Sequence, residues 1–123
     1  MPLHYHSLVV WQRADDLFID VHQLTRASFP DFERFELSSQ LRRAAYSVAA
    51  NVVEGSEREH KKERLNFLSF SRASLAEVGY CLHVAKRLGY IDAAKFNAFD
   101  VSIRRVSAAL HGYIRAVKEG RAR

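Results

Sequence analysis

Three features of this sequence predict an all-α fold, an antiparallel up-down four-helix bundle. Apolar residues recur at steps of three and four through four long segments, the period of a helix with one buried face. The breaks between those segments are short, which forces neighbouring helices to run antiparallel. Only 2 prolines and 5 glycines interrupt 123 residues, too few for a turn-rich β fold. The chain reads as a single domain, 1–123, with helices at about 7–26, 38–58, 62–88 and 92–119. A chain of this size buries enough surface to fold without a disulfide or a structural metal.

The first helix carries Trp11, Ala14, Leu17, Phe18, Val21 and Leu24 on one face. Pro30 stops it, because its ring removes a donor and restricts Phe29. In the second helix Leu41, Ala44, Ala45, Val48, Ala49 and Val52 face the core, and Ser38 or Ser39 is the expected N-cap. Gly55 comes late in this pattern, so the helix is expected to fray or bend there into a charged connection, Glu57–Glu63. Leu68, Leu75 and Leu82 repeat every seven residues in the third helix, a bundle seam. Gly89 then supplies a left-handed cap, after Lys86 and Arg87 in the last turn, where cations suit the helix dipole. Asp92 is the expected N-cap of the fourth helix. Phe96, Phe99, Ile103, Val106, Leu110, Tyr113 and Val117 alternate steps of three and four along it, as packing at a shallow left-handed crossing requires.

Composition narrows the function. The chain is 48% hydrophobic and 27% charged, ordinary globular values. No signal-peptide pattern opens it and no apolar run is long enough to span a membrane, so a cytoplasmic protein without membrane contact is expected. Cys81 is the single cysteine and reads as a packed thiol. The net charge of +5 is uneven: −3 over residues 1–39, +2 over 40–85 and +6 over 86–123. A basic final third points to polyanion affinity.

No catalytic or metal chemistry emerges. A di-iron bundle needs two Glu-x-x-His pairs, and only Glu57 with His60 has that spacing. His4 and His6 stand at a terminus. Cys81 and His83 are two residues apart and diverge on a helix. His22, His83 and His111 lack the partners of a general base. A non-enzyme without cofactors is expected.

Two polar stripes remain. On the second helix Gln40, Arg43, Ser47, Asn51, Glu54 and Arg58 share one face, read as roughly opposite the core; it is a solvated face, an interface or a ligand groove. On the fourth, Arg104, His111, Arg115 and Lys118 form a basic flank, with Arg121 and Arg123 beyond it, a candidate strip for phosphates. The third helix is apolar on too many sides for a monomer, since Leu65, Phe67, Leu68 and Phe70 diverge around its axis. Phe29, Phe32 and Phe35 add rings in a connection, either as a lid over the bundle end or as a surface for another subunit.

The run Gln40-Leu41-Arg42-Arg43-Ala44-Ala45-Tyr46-Ser47, continuing through Asn51 and Glu54-Gly55 to Arg58, resembles the signature of a bacterial four-helix-bundle family. That family includes proteins encoded within intervening sequences of 23S ribosomal RNA genes. Val10-Trp11-Gln12, Phe29-Pro30, Phe67-Leu68, Ser74, Leu75 and Glu77 extend the resemblance from about Leu8 to Val117; Ala73 stands where the family commonly has glycine. The resemblance implies a ring-like homo-oligomer, a homopentamer, similar in fold to the nucleic-acid-binding accessory protein of diversity-generating retroelements, which also binds a reverse transcriptase. It carries over no catalytic residues. Its signature positions here are Gln40, Arg43, Ser47, Asn51, Glu54, Gly55 and Arg58. The expected function is a non-catalytic homo-oligomer binding RNA or DNA. The alternative is a protein-interaction scaffold or accessory subunit whose partner is another protein.

Overall fold

A computed structural model describes residues 4–122. It contains four long helices: α1 (Val9–Ser28), α2 (Leu37–Glu57), α3 (Lys61–Arg87) and α4 (Ala93–Lys118). Short 3-10 turns at His4–Ser7 and Asp31–Glu33 precede α1 and α2, and no strand occurs among the described residues. Each helix packs on its two neighbours in the order α1, α2, α3, α4 and back to α1, while the backbones of the diagonal pairs stay farther apart. Arg123 lies outside the described residues.

The periodic residues of the sequence form the core. Leu17, Val21, Leu41, Val48, Val78, Leu82 and Val106 are among the buried side chains of one cluster. Val10, Val52, Leu68, Leu110 and Val117 form a second toward the other end of the bundle. The Trp11 ring packs against both and joins them. Cys81 is buried with the first cluster, and burial, then the charge of Glu77, pushes its thiol pKa up.

α2 and α3 pack the most extensively, and small residues are the reason. At Gly55 an added Cβ would stand 3.3 Å from the Arg64 carbonyl oxygen and 3.4 Å from the Phe67 Cβ. Gly55 therefore does not fray the helix, as expected from sequence; it sits buried inside α2 and admits the first turn of α3. Further along the seam, the fully buried Ser71 hydroxyl donates to the Val48 carbonyl at 2.7 Å. A hydroxyl reaches a neighbouring helix backbone in this way only when the two axes are close.

The helix ends follow local chemistry, with one correction. Asp92 caps α4 as expected, its Oδ1 accepting from the Lys95 amide at 2.8 Å. Gly89 takes φ +81° after α3, and the Tyr90 amide donates back to Ala85. Neither Ser38 nor Ser39 caps α2, because the helix begins at Leu37 and Ser38 is buried in its first turn. Glu33 performs that task from the preceding turn: its Oε1 accepts from the Leu37 amide at 3.3 Å. Its Oε2 accepts from the Tyr90 hydroxyl at 2.6 Å, tying the start of α2 to the loop after α3. At the opposite end, Lys61 donates to the Lys118 carbonyl, and the buried Arg64 donates to the Ala122 carbonyl and the Tyr113 hydroxyl. Lys61 thereby satisfies a carbonyl that the last turn of α4 leaves unpaired, and Arg64 ties the segment after α4 to the start of α3.

Two expectations follow. Gly55→Val should destabilise the fold by about 1–3 kcal/mol by forcing a side chain into a filled seam. Gly79→Ala should stabilise it by about 0.5–1 kcal/mol, because its Cβ would enter open space within a helix. Urea unfolding at one fixed protein concentration measures both.

A third expectation concerns alkali. The hydrogen bond to Glu33, then burial, then the Glu33 charge, push the Tyr90 pKa from 10.0 up to about 12. A raised folded-state value means that this contact contributes fully below the ordinary tyrosine pKa and is lost as pH climbs through the folded one. Melting temperature, followed from pH 9 to 12.5, should therefore fall more steeply for the parent than for Tyr90→Phe. Parallel curves would show that the contact contributes nothing.

Candidate nucleic-acid and assembly surfaces

The structure separates the seven signature positions of α2 into two groups. Their stripe does not lie opposite the core, as the sequence spacing suggested. It runs along the edge of α2 that meets α3, so Ser47 and Asn51 are half-buried rather than solvated. The Asn51 amide donates to the Ser47 carbonyl at 2.8 Å and to the Ser47 hydroxyl oxygen at 2.9 Å. That oxygen also accepts from the Ser74 hydroxyl of α3 at 2.9 Å. With Gly55, these residues clamp α2 to α3. Arg58 pairs with Glu54 at 2.9 Å and lies over the Phe67 ring, 4.8 Å from its centroid. Both ionic partners are exposed, so the pair contributes only a few tenths of a kcal/mol by itself. Gln40 and Arg43 are exposed and make no side-chain hydrogen bond or ion pair among the described residues. They line an open groove of about 650 Å³ that crosses α2, together with Tyr46, Ser47, Ser74 and Glu77.

Beside this stripe α3 presents an outward face of low charge. Phe70 is 57% exposed and Tyr80 67% exposed on that side, with the exposed Ser69, Ala73 and Ala76 between them. Large rings alternating with small residues are the relief that another helix packs against. The apolar excess read from α3 is thus real, since Leu68 enters the core and Phe70 does not. The three rings before α2 divide as well. Phe29 is buried as a lid beside Tyr90, whereas Phe32 and Phe35 are 75% and 83% exposed. Tyr80 was not singled out from sequence, because it stands alone on the face opposite the heptad leucines.

The basic strip of α4 lies on its outward face as expected. Arg104, His111, Arg115 and Lys118 are all exposed. Ser107, Ala108 and Gly112 lie among them and form the floor of a shallow hollow of about 520 Å³ walled by Arg104, His111 and Arg115. Arg104 bonds Asp100 at 2.9 Å, which raises its pKa and holds it protonated while offsetting part of its charge. No side-chain partner among the described residues engages His111, Arg115 or Lys118. Arg121 is paired with Glu119 at 2.8 Å.

The residues considered for catalysis and metals stay apart. Glu57 ends α2 and His60 stands at the N-cap of α3, so the connection divides them. No group of three or more histidine, cysteine, aspartate or glutamate side chains gathers among the described residues in a way that could hold a metal ion. No described helix is long and apolar enough to cross a membrane.

The model of the 23S rRNA-intervening sequence protein family matches residues 6–112, and the chain belongs to that family. It is similar to the crystal structure of a protein with unknown function from the S23 ribosomal protein family of Bacteroides thetaiotaomicron. The two superpose with a TM-score of 0.79 at 20% identity, covering 86% of this chain and 98% of that one. At that identity the likeness establishes the fold alone. No curated protein matches the chain.

Proposed function

We propose that this member of the family is a non-catalytic, cytoplasmic homo-oligomer, a pentameric ring, that binds RNA or DNA through basic strips gathered by assembly. One observation carries the nucleic-acid part. α4 turns Arg104, His111, Arg115 and Lys118 outward around a floor of small residues, three of them without an acidic partner among the described residues. Small residues let a sugar-phosphate backbone approach the helix while the cations reach its phosphates. No exposed aromatic interleaves with these cations, so binding is to the backbone and weakly sequence-specific. The outward face of α3 around Phe70, with the exposed Ser69 and Ala73 beside it, supports assembly. The number five comes from the resemblance described above.

Assembly decides the affinity. A single strip neutralises only a few phosphates, whereas several strips on one particle engage one strand with a shared loss of freedom. Each phosphate neutralised on a single strand steepens the dependence of log K on log salt by about 0.7.

Light scattering at micromolar concentration should therefore report a particle several times the 14.1 kDa of the chain. Labelled single-stranded RNA should bind it with an affinity that falls steeply from low to high salt. Arg104→Glu with Arg115→Glu and Lys118→Glu should abolish binding and leave the particle mass intact. A lone 14.1 kDa particle would overturn the ring. Affinity that is absent at low salt, or flat against salt, would overturn the nucleic-acid role.

A further inference from the structure

Two turns beyond Phe70 along α3, toward the Tyr90 end of the bundle, the α2–α3 edge opens into a second groove of about 500 Å³. Its apolar wall is Leu37 of α2 with Tyr80, Cys81, Val84 and Leu88 of α3. Its polar rim is the exposed Glu36 and Glu77, with Gln40; Glu33 also lines it but is buried and already bonded to the Leu37 amide and the Tyr90 hydroxyl. In a chain of net charge +5, none of the nine lining residues is basic. Arg34, between Glu33 and Glu36 in sequence, is turned over the Phe35 ring, 5.3 Å from its centroid, and Arg43 lines the adjoining groove, which shares Gln40 and Glu77 with this one. Glu77 to Leu88 spans about 16 Å of helix, three turns. Phe32 and Phe35, adjacent in sequence to Glu33 and Glu36, extend exposed apolar surface beyond the groove.

We infer that this groove is a docking site for a cationic amphipathic helix supplied by another polypeptide. A groove between two helices accepts a third through an apolar ridge at i, i+3 or i+4, and i+7. Carboxylates on its rim select lysine or arginine on the flanks of that ridge and repel acidic helices. The same rim repels nucleic acid, so the inference does not rest on the proposed function of α4.

A second copy of this chain offers no such ridge among its described residues. The exposed large apolar side chains beside cations are Tyr46, Val101, Phe35 and Leu88; no two of them share a helix at i, i+3, i+4 or i+7, and Phe35 and Leu88 stand at the groove itself. Ile19 is exposed on α1 among Asp15, Asp16 and Asp20, the wrong charge for this rim. Between Arg104 and Arg115 the outward face of α4 carries only Ser107, Ala108, His111 and Gly112, too small to fill an apolar groove.

Cys81 is the only cysteine of the chain and lines the groove, so it reports occupancy directly. The test uses the full chain with two synthetic amphipathic helices, one of leucine and lysine and one of leucine and glutamate. Binding is read by fluorescence anisotropy, and Cys81 alkylation is timed with and without peptide in each variant, because Glu77 itself raises the thiol pKa. The leucine/lysine helix should bind and slow alkylation several-fold, and the leucine/glutamate helix should do neither. Glu36→Lys with Glu77→Lys should weaken binding by about tenfold, the effect of reversing two exposed charge pairs. Arg104→Glu with Arg115→Glu should leave peptide affinity unchanged. Equal binding of both helices, or binding that leaves Cys81 alkylation unaltered, would overturn the site. A change in particle mass on reversing Glu36 and Glu77 would assign the groove to a second copy and overturn it too.

Discussion

The close approach of α2 to α3 is the constraint on which the rest of the molecule depends. It needs a residue without a side chain at Gly55, where the carbonyl of Arg64 fills the space. It also needs polar groups small enough to lie in the seam, and Ser71, Ser47, Ser74 and Asn51 meet that need while bonding one another or a backbone carbonyl. A buried hydroxyl left without such a partner would cost about 1–3 kcal/mol. Polarity in this seam is therefore tolerable only because the geometry is tight. With the seam of α3 fixed by this clamp, the helix period turns Phe70 and Tyr80 away from the core.

Much of this was legible in the sequence, and the failures share a physical pattern. Helix periodicity is a property of one chain segment, so the four helices and the leucine seam appear within one or two residues of their expected limits. The caps at Asp92 and Gly89 are equally local. Glu33 was not readable as the cap of α2, because its role depends on a 3-10 turn that brings its carboxylate to the Leu37 amide, and on Tyr90 far along the chain. Gly55 looked like a weak point because glycine lowers helix propensity. Its value lies in the neighbour it admits, which no single segment can announce.

The polar stripe of α2 illustrates the same limit from the other side. The spacing correctly put Gln40, Arg43, Ser47, Asn51, Glu54 and Arg58 on one face. Whether that face meets water depends on where the next helix lies, and α3 covers half of it. Ser47 and Asn51 thereby act within the fold, whereas Gln40 and Arg43 remain open. The resemblance named these positions as a unit. The structure divides them by what each one touches, and it gives a physical reason for short neutral side chains in the middle of the stripe: longer ones would hold α2 away from α3.

The two outward surfaces differ in sign, and this matters more than either patch alone. The groove's glutamates belong to α3 and the turn before α2, and the groove shares no lining residue with the basic hollow of α4. At physiological ionic strength exposed charges more than about 8 Å apart are largely screened from one another. Each surface therefore presents its own sign to an approaching partner, and the net charge of +5 describes neither. Neutralising the basic strip with a polyanion would leave the acidic groove open, and filling the groove would leave the strip free. A small bundle can in this way hold two unlike partners at once, with discrimination arising as much from what each surface repels as from what it attracts.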